Sequence, residues 1–408
     1  MFKRTTHLYR KSFSGLSCET WLLSLVMLIN RSGTMVLPFL TLYITGPLIQ
    51  RGLSDAGFVM ALFGIGSVAG SYFGGRLCDR VGFYKVQFYS LILGAVFFIL
   101  LGQVRSFPLL CAFTFLLSLF NEAFRPANSS AIAAFSTKEN RTRSYSLNRL
   151  SINLGWAIGA SLGGLVASVN YKYLFWIDGA TNLAAAMLLL FFLGQNPAQN
   201  TLEQPTAEQA ENPRSAYKDK VYLAFIMIMI LFGICFFQLF TTVPNFMRDQ
   251  LNLGEIFIGL VMALNGLIIV LFEMVIIYHL EQKNRNLQFI IFGLLICALA
   301  FQALIVPGPT KSMCLLSIVL VTIGEVMTMP FMNTYWTLRS NSRNRGQYAG
   351  LYAMAWGISQ VVGPYFSTLL VEWKGYVALY CTVAFILVVC AVGFVALGRE
   401  KKTQTQPA

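Results

Sequence analysis

Long apolar runs separated by short polar spacers recur along almost the whole chain, from residue 18 to residue 398. A helix needs about 20 mostly apolar residues to cross the hydrocarbon core of a bilayer. The runs fall at 18–44, 54–76, 83–104, 107–135, 145–168, 172–194, 219–245, 255–280, 286–306, 311–337, 346–370 and 375–398. This pattern predicts twelve membrane-spanning helices, called spans one to twelve below. Between spans six and seven lies "GQNPAQNTLEQPTAEQAENPRSAYKDK", rich in Gln, Asn, Pro and Glu. Such a stretch cannot bury a core, so residues 195–217 are expected to be a flexible cytoplasmic linker. It would separate an N-terminal six-helix bundle, 1–194, from a C-terminal one, 218–408.

Composition agrees with the pattern: of 408 residues, 56% are hydrophobic and only 12% charged, too apolar for a soluble chain of this length. The net charge of +13 is a topology signal and not a nucleic-acid footprint, because the basic residues sit in short spacers and form no solvated patch. With the N-terminus inside, the inner loops and tails hold 22 of the 30 Lys and Arg. The outer loops hold only Arg51, Arg105, Lys172, Arg248, Lys311 and Lys374, and Arg31 and Arg125 lie within spans. The chain is therefore expected in the inner (plasma) membrane with both termini cytoplasmic. The basic start is followed by an apolar run too long for a cleavable signal peptide. Eight cysteines scattered singly through apolar segments read as packing residues, and two histidines, His7 and His279, argue against a transition-metal site. No nucleotide-binding loop is legible, which argues against an enzyme and against ATP as energy source.

The two halves resemble each other. A shift of 204 places Pro126 on Pro330, Arg141 on Arg345, Leu147 on Leu351, Gly159 on Gly363 and Leu193-Gly194 on Leu397-Gly398. A shift of 202 places "VMAL" at 59–62 on "VMAL" at 261–264, and Asp79 on Glu281. A constant shift that preserves prolines and helix ends points to a duplicated six-helix unit.

Against this background the loop after span two, "GGRLCDRVGFYK", resembles the loop signature of the major facilitator superfamily: Gly-x-Leu-x-Asp-Arg-x-Gly is matched by Gly75, Leu77, Asp79, Arg80 and Gly82. Phe83 and Tyr84 stand where a basic pair is usual, with Lys85 just beyond. The resemblance implies an all-α membrane protein, twelve transmembrane helices in two pseudo-symmetric six-helix bundles. It also implies that Asp79 and Arg80 form a gating latch against the start of span eleven, where an acid faces the positive end of a helix. On span five, "GWAIGASLGG" (Gly155, Gly159, Gly163, Gly164) is similar to the glycine motif of drug:proton antiporters, with Ala160 in the proline position. The pair Gly363-Pro364 supplies that proline in the other half. Small residues at this spacing also serve plain helix packing. "FRPANSS" in span four and "GEVMTMP" in span ten resemble stretches of proton-dependent oligopeptide transporters, whose paired glutamates are absent from "LINRSG" in span one. Thr114 occupies the place of the helix-four arginine of many antiporters.

Six ionisable residues interrupt the spans: Arg31, Glu122, Arg125, Asp178, Glu273 and Glu325. Each charge costs roughly 2.5–3.5 kcal/mol at a helix centre, so such residues face a cavity or a partner. Glu122, Arg125 and Ser129 project from one face of span four, with Asn121, Arg125 and Asn128 on the adjoining stripe. The repeat sets Glu325 opposite Asn121. Proton coupling is assigned to Glu325 or Glu122, with Arg125 and Arg31 as partners, and Arg125 answers either to Glu122 or to Glu325 across the cavity. Asp178 reads as a structural cap, Glu273 as a gate or as the partner of an inner-side arginine. A solute site is expected from Asn30 on span one, Asn121 and Asn128 on span four, Asn153 and Trp156 on span five, Gln238 on span seven, and Tyr352, Trp356 and Gln360 on span eleven, whose rings and amides recur every fourth residue. Pro126 and Pro330 read as a repeated helix break. The expected function is secondary active transport of a small organic solute by alternating access. It needs no cofactor beyond the proton gradient, and export is preferred to uptake of a peptide-like or nutrient solute. A transporter-like receptor without flux is the reading from another class. The expected partners are solute, protons and lipid, with no nucleic acid and no nucleotide.

Overall fold

The computed structural model describes residues 9–45, 49–193, 215–283, 285–306 and 311–403. Among the described residues, ten helices are long and apolar enough to cross a membrane. The remaining two spans emerge from how the ends of the series are built. Span one is cut into Cys18–Ser32 and Val36–Thr45, and spans eleven and twelve run together as Arg345–Thr403, broken only by Gly375 at φ 77°. The others are Leu53–Val81, Phe83–Leu101, Phe107–Phe135, Arg141–Val169, Tyr171–Leu193, Lys220–Asp249, Glu255–Glu281, Asn286–Ala303 and Lys311–Arg339. The chain is thus a multi-pass membrane protein, and its exposed residues include large apolar ones such as Phe192, Leu299, Phe385 and Val392 on helix sides, as hydrocarbon requires.

The internal repeat is visible in backbone detail. Spans four and ten have equal lengths of 29 residues and begin 204 apart, at Phe107 and Lys311. The turn after each is locked by the same device: Asn140 Oδ1 accepts from the Thr137 amide at 2.8 Å, and Asn344 Oδ1 from the Asn341 amide at 2.8 Å. Gly375 lies 204 beyond Tyr171, the first residue of span six.

Three expectations are corrected. The break in span one, at Gly33–Met35, had no place in the run at 18–44. It arises because the Asp178 carboxylate on span six accepts from the Met35 amide at 3.0 Å and the Val36 amide at 2.8 Å, capping a new helix start. A side chain at Gly33 would collide with Thr181 Oγ1 on the same span. Conversely, Pro126 and Pro330 do not break their helices, since a proline removes one ladder bond and the packed neighbours hold the rest. Finally, most of the linker lies outside the described residues, but its end is packed: Ala216 is fully buried, Ser215 Oγ donates to Gln347 at 3.0 Å, and Arg76 stacks over the Tyr217 ring at 4.9 Å.

The end of the molecule that carries Asp79, the turns at 136–140 and 340–344 and most loop cations is called the basic end. There Asp219 joins spans seven, ten and eleven, accepting from Arg339 Nη2 (2.9 Å) and Nε (3.2 Å), from the Tyr348 hydroxyl (2.7 Å) and from the Tyr222 amide (3.1 Å). Burial raises its pKa, but these hydrogen bonds outweigh burial and hold it below the ordinary carboxylate range. A depressed pKa contributes stability that is complete above the unfolded value of about 3.9 and is lost as the pH falls below it. Asp219→Ala is expected to destabilise the protein by about 1.5–3 kcal/mol, less than for a fully buried pair because Arg339 keeps some water contact. Thermal unfolding near neutral pH should show a lower midpoint, and the gap to wild type should close on acidification below pH 4. An unchanged midpoint would show that the cluster is not structural.

Candidate functional site

The ionisable residues inside the spans assemble into two clusters of opposite formal charge. In the N-terminal bundle, one carboxylate sits between two guanidiniums: Glu122 lies 3.3 Å from Arg125 and 3.8 Å from Arg31. Its formal charge is +1. Between the bundles, one guanidinium sits between two carboxylates: Arg149 of span five reaches Glu273 of span eight at 3.0 Å and Glu325 of span ten at 2.7 Å. Its formal charge is −1. Asn265 of span eight donates to the other Glu325 oxygen at 3.3 Å and to Thr322 Oγ1 at 2.9 Å, which fixes the carboxylate from behind. The second cluster is deeply enclosed, with side-chain exposures of 1–2% for the acids, whereas Arg125 keeps 31%.

Arg125 therefore pairs with Glu122, and the partner of Glu325 is Arg149. The count of 22 inner Lys and Arg includes Arg149 as a topology charge. Span five begins at Arg141, four residues earlier than the apolar run suggests, so Arg149 lies two turns inside the helix. Its position is set by close packing of spans five and one. A side chain at Gly155 would come within 2.6 Å of Arg31 Cβ, and one at Gly159 within 3.0 Å of the Ser32 carbonyl. The glycine motif thus brings Arg31 and span five together.

Several residues expected at a solute site are turned into their own bundles. Asn30 donates to Asn182 at 3.0 Å, Asn128 bridges Gln87 (3.2 Å) and Asn148 (2.9 Å), and Asn121 faces Gly94 on span three. Gln238 is fully buried and satisfied on its own helix by Ile234 and Thr242. Asn30 and Asn128 thus tie helices within a bundle, because a buried amide needs partners. Of the other expected residues, Arg125 on span four, Asn153 on span five and Trp356 on span eleven are half-buried, as is Ser129 on span four, Trp156 and Gln360 are exposed, and Tyr352 is buried. Trp356 stands on Phe232, Phe236 and Phe237 of span seven.

The bundles are fastened at the basic end. Asp79 accepts from the Gly346 amide at 2.6 Å and from the Gln347 amide at 2.9 Å, the first free N–H groups of span eleven. Gly75, Gly346 and Gly350 allow the approach: a side chain at Gly350 would sit 2.9 Å from the Ser71 carbonyl and 3.0 Å from Gly75 Cα. Gly82 turns the chain into span three at φ 89°, where a side chain is strained. Arg80 is exposed, and it is Arg76 that reaches Tyr217 at the end of the linker. The repeat-related Glu281 accepts from Arg143 of span five at 3.1 Å, and Arg143 also donates to the Ser14 carbonyl at 2.9 Å. Thr142 meets Thr334 at 2.8 Å, and the Tyr145 hydroxyl meets Thr337 at 3.1 Å. Toward the other end, span five bares Leu162 and Val169, and span eleven Val361 and Tyr365.

The sequence model of the family described as "Major Facilitator Superfamily" matches residues 20–360 and 288–408. The chain belongs to the Major Facilitator Superfamily. Among relatives of this superfamily member is the "Na(+), Li(+), K(+)/H(+) antiporter" of Planococcus maritimus, 24% identical over 383 residues, covering 85% of this chain and 88% of that one. The "Quinolone resistance protein NorA" of Staphylococcus aureus (strain COL) is 22% identical over 361 residues, covering 87% and 91%. Among solved structures, the human organic anion transporter MFSD10 superposes with a TM-score of 0.74 at 13% identity, covering 93% of this chain and 100% of that one, a likeness of fold. The protein is a transporter of the major facilitator kind, not an enzyme. Its sequence marked Glu273 and Glu325 as buried acids but hid their common partner, Arg149, because an arginine near a loop reads as a topology charge.

Proposed function

We propose that this major facilitator is a proton-coupled secondary transporter that moves a small organic solute across the inner membrane by alternating access, with the basic end cytoplasmic. The observation that carries the proposal is the Arg149 bridge. The guanidinium belongs to one bundle and both its carboxylates to the other, so the ion pairs span the interface that must part when access alternates. A proton on Glu325 or Glu273 brings this cluster to zero formal charge and weakens the tie. A proton on Glu122 would leave Arg31 and Arg125 with no counter-charge. This supports Glu325, with Glu273, as the proton carrier, and Glu122 as a fixed counter-ion. The antiporter and quinolone-resistance relatives support coupling and, of the two directions, export. Under this assignment of sides, the fastened basic end makes the conformation outward-open.

In vesicles reconstituted with the protein, an imposed pH gradient should drive movement of a quinolone, and Glu325→Gln or Glu273→Gln should lower the gradient-driven rate at least tenfold while quinolone binding persists. Undiminished movement in both variants, singly and combined, would refute the coupling assignment. Inward accumulation driven by the gradient would instead select uptake.

A further inference from the structure

The two clusters do not present equal faces to the space between the bundles. The acids of the −1 cluster are sealed, while the +1 cluster keeps Arg125 partly open on span four. Arg31, itself 95% buried, has a guanidinium nitrogen, Nη2, with no hydrogen-bond partner among the described residues. One carboxylate cannot saturate two guanidiniums, each of which presents several donors in a fixed fork. A surplus positive charge with an unused donor, in surroundings of low dielectric, favours an anionic partner. Span eleven, which packs against span four, carries Trp356 on its half-buried side.

We propose that the transported solute is an aromatic or amphipathic organic anion, whose carboxylate, sulfonate or similar group docks on the half-open Arg125, beside the buried, unpaired Nη2 of Arg31, while its apolar body lies against Trp356. The inference rests on the reading of the protein as a solute transporter but not on its proton coupling. Loading one anion here would bring this cluster to zero formal charge, so its surplus charge is compensated while the solute is carried. A solute cation finds no equivalent, because the acids that would receive it are enclosed and already share Arg149.

The test uses the full-length detergent-solubilised protein and four probes: 1-naphthoate, its uncharged counterpart 1-naphthamide, the cation 1-naphthylmethylammonium, and acetate. Binding is read from quenching of tryptophan fluorescence and from the thermal midpoint. Naphthoate should bind at least tenfold more tightly than the other three. Arg125→Gln should weaken naphthoate at least tenfold and leave naphthamide unchanged, Arg125→Lys should recover part of the loss, and Arg51→Gln, which removes a cation from an exposed pair with Asp55, should bind naphthoate like wild type. Tightest binding of the ammonium or the amide, equal binding of acetate, unchanged naphthoate affinity in Arg125→Gln, or no binding of any probe would overturn the assignment of an organic anion. Loss of pH-driven transport in Glu325→Gln with naphthoate binding intact would leave this inference standing. Naphthoate binding that fails in wild type while pH-driven quinolone movement persists would remove it alone.

Discussion

Arg149→Met is expected to abolish gradient-driven transport and to destabilise the conformation described here by about 3–5 kcal/mol, the cost of leaving a buried charge without its partner. The variant leaves Glu273 and Glu325 facing each other with no cation between them, in a place from which water is excluded. Two readouts separate the roles of the bridge. The thermal midpoint of the purified variant should fall well below that of wild type. Restoring charge balance with Glu273→Gln and Glu325→Gln in the same molecule should return most of the midpoint, since neutral amides need no counter-ion. Transport should stay lost in the triple variant, because it has neither the proton site nor the tie that the proton releases. Wild-type flux in Arg149→Met would show that the bridge is an incidental contact, and recovery of coupled flux in the triple variant would place the proton elsewhere.

Gly75→Val is expected to prevent closure of the basic end. A side chain at Gly75 would be driven into the Gly346 carbonyl and within 2.8 Å of Gly350 Cα, so the clash is with backbone, which cannot rotate away. The latch of Asp79 on the Gly346 and Gln347 amides then cannot form. The native thiol of Cys78 reports the outcome without an engineered probe. It is 8% exposed here and packed against Gly346, whereas Cys18, at the start of span one, is exposed and serves as a reference. Maleimide labelling of Cys78 should accelerate at least tenfold in Gly75→Val, corresponding to about 1.4 kcal/mol of bias toward the state open at the basic end. Asp79→Asn, which keeps the backbone fit and weakens only the acceptor, should give a smaller acceleration. Equal labelling in wild type and Gly75→Val would mean that the three glycines do not govern access.

The alternation of long apolar runs with short basic spacers was enough to determine twelve spans, two bundles and the duplication between them, because the bilayer imposes its thickness on every spanning segment and each segment reports that constraint locally. The loop of Gly75, Asp79 and Gly82 was legible for a similar reason: its turn and its helix-end contact are short-range demands on residue type. The sequence also marked Glu122, Glu273 and Glu325 as costly charges in need of partners. It could not decide the partners. Which guanidinium meets which carboxylate depends on how spans four, five, eight and ten are rotated and how closely they approach, and that is set by contacts such as Gly155 on Arg31, far apart in the chain. The same limit explains the broken first span, whose cap, Asp178, arrives from 143 residues away, and the buried amides of Asn30, Asn121, Asn128 and Gln238. A polar residue in an apolar helix announces only that it must be satisfied. Whether it faces a neighbour in its own bundle or the space between bundles is a property of the packing.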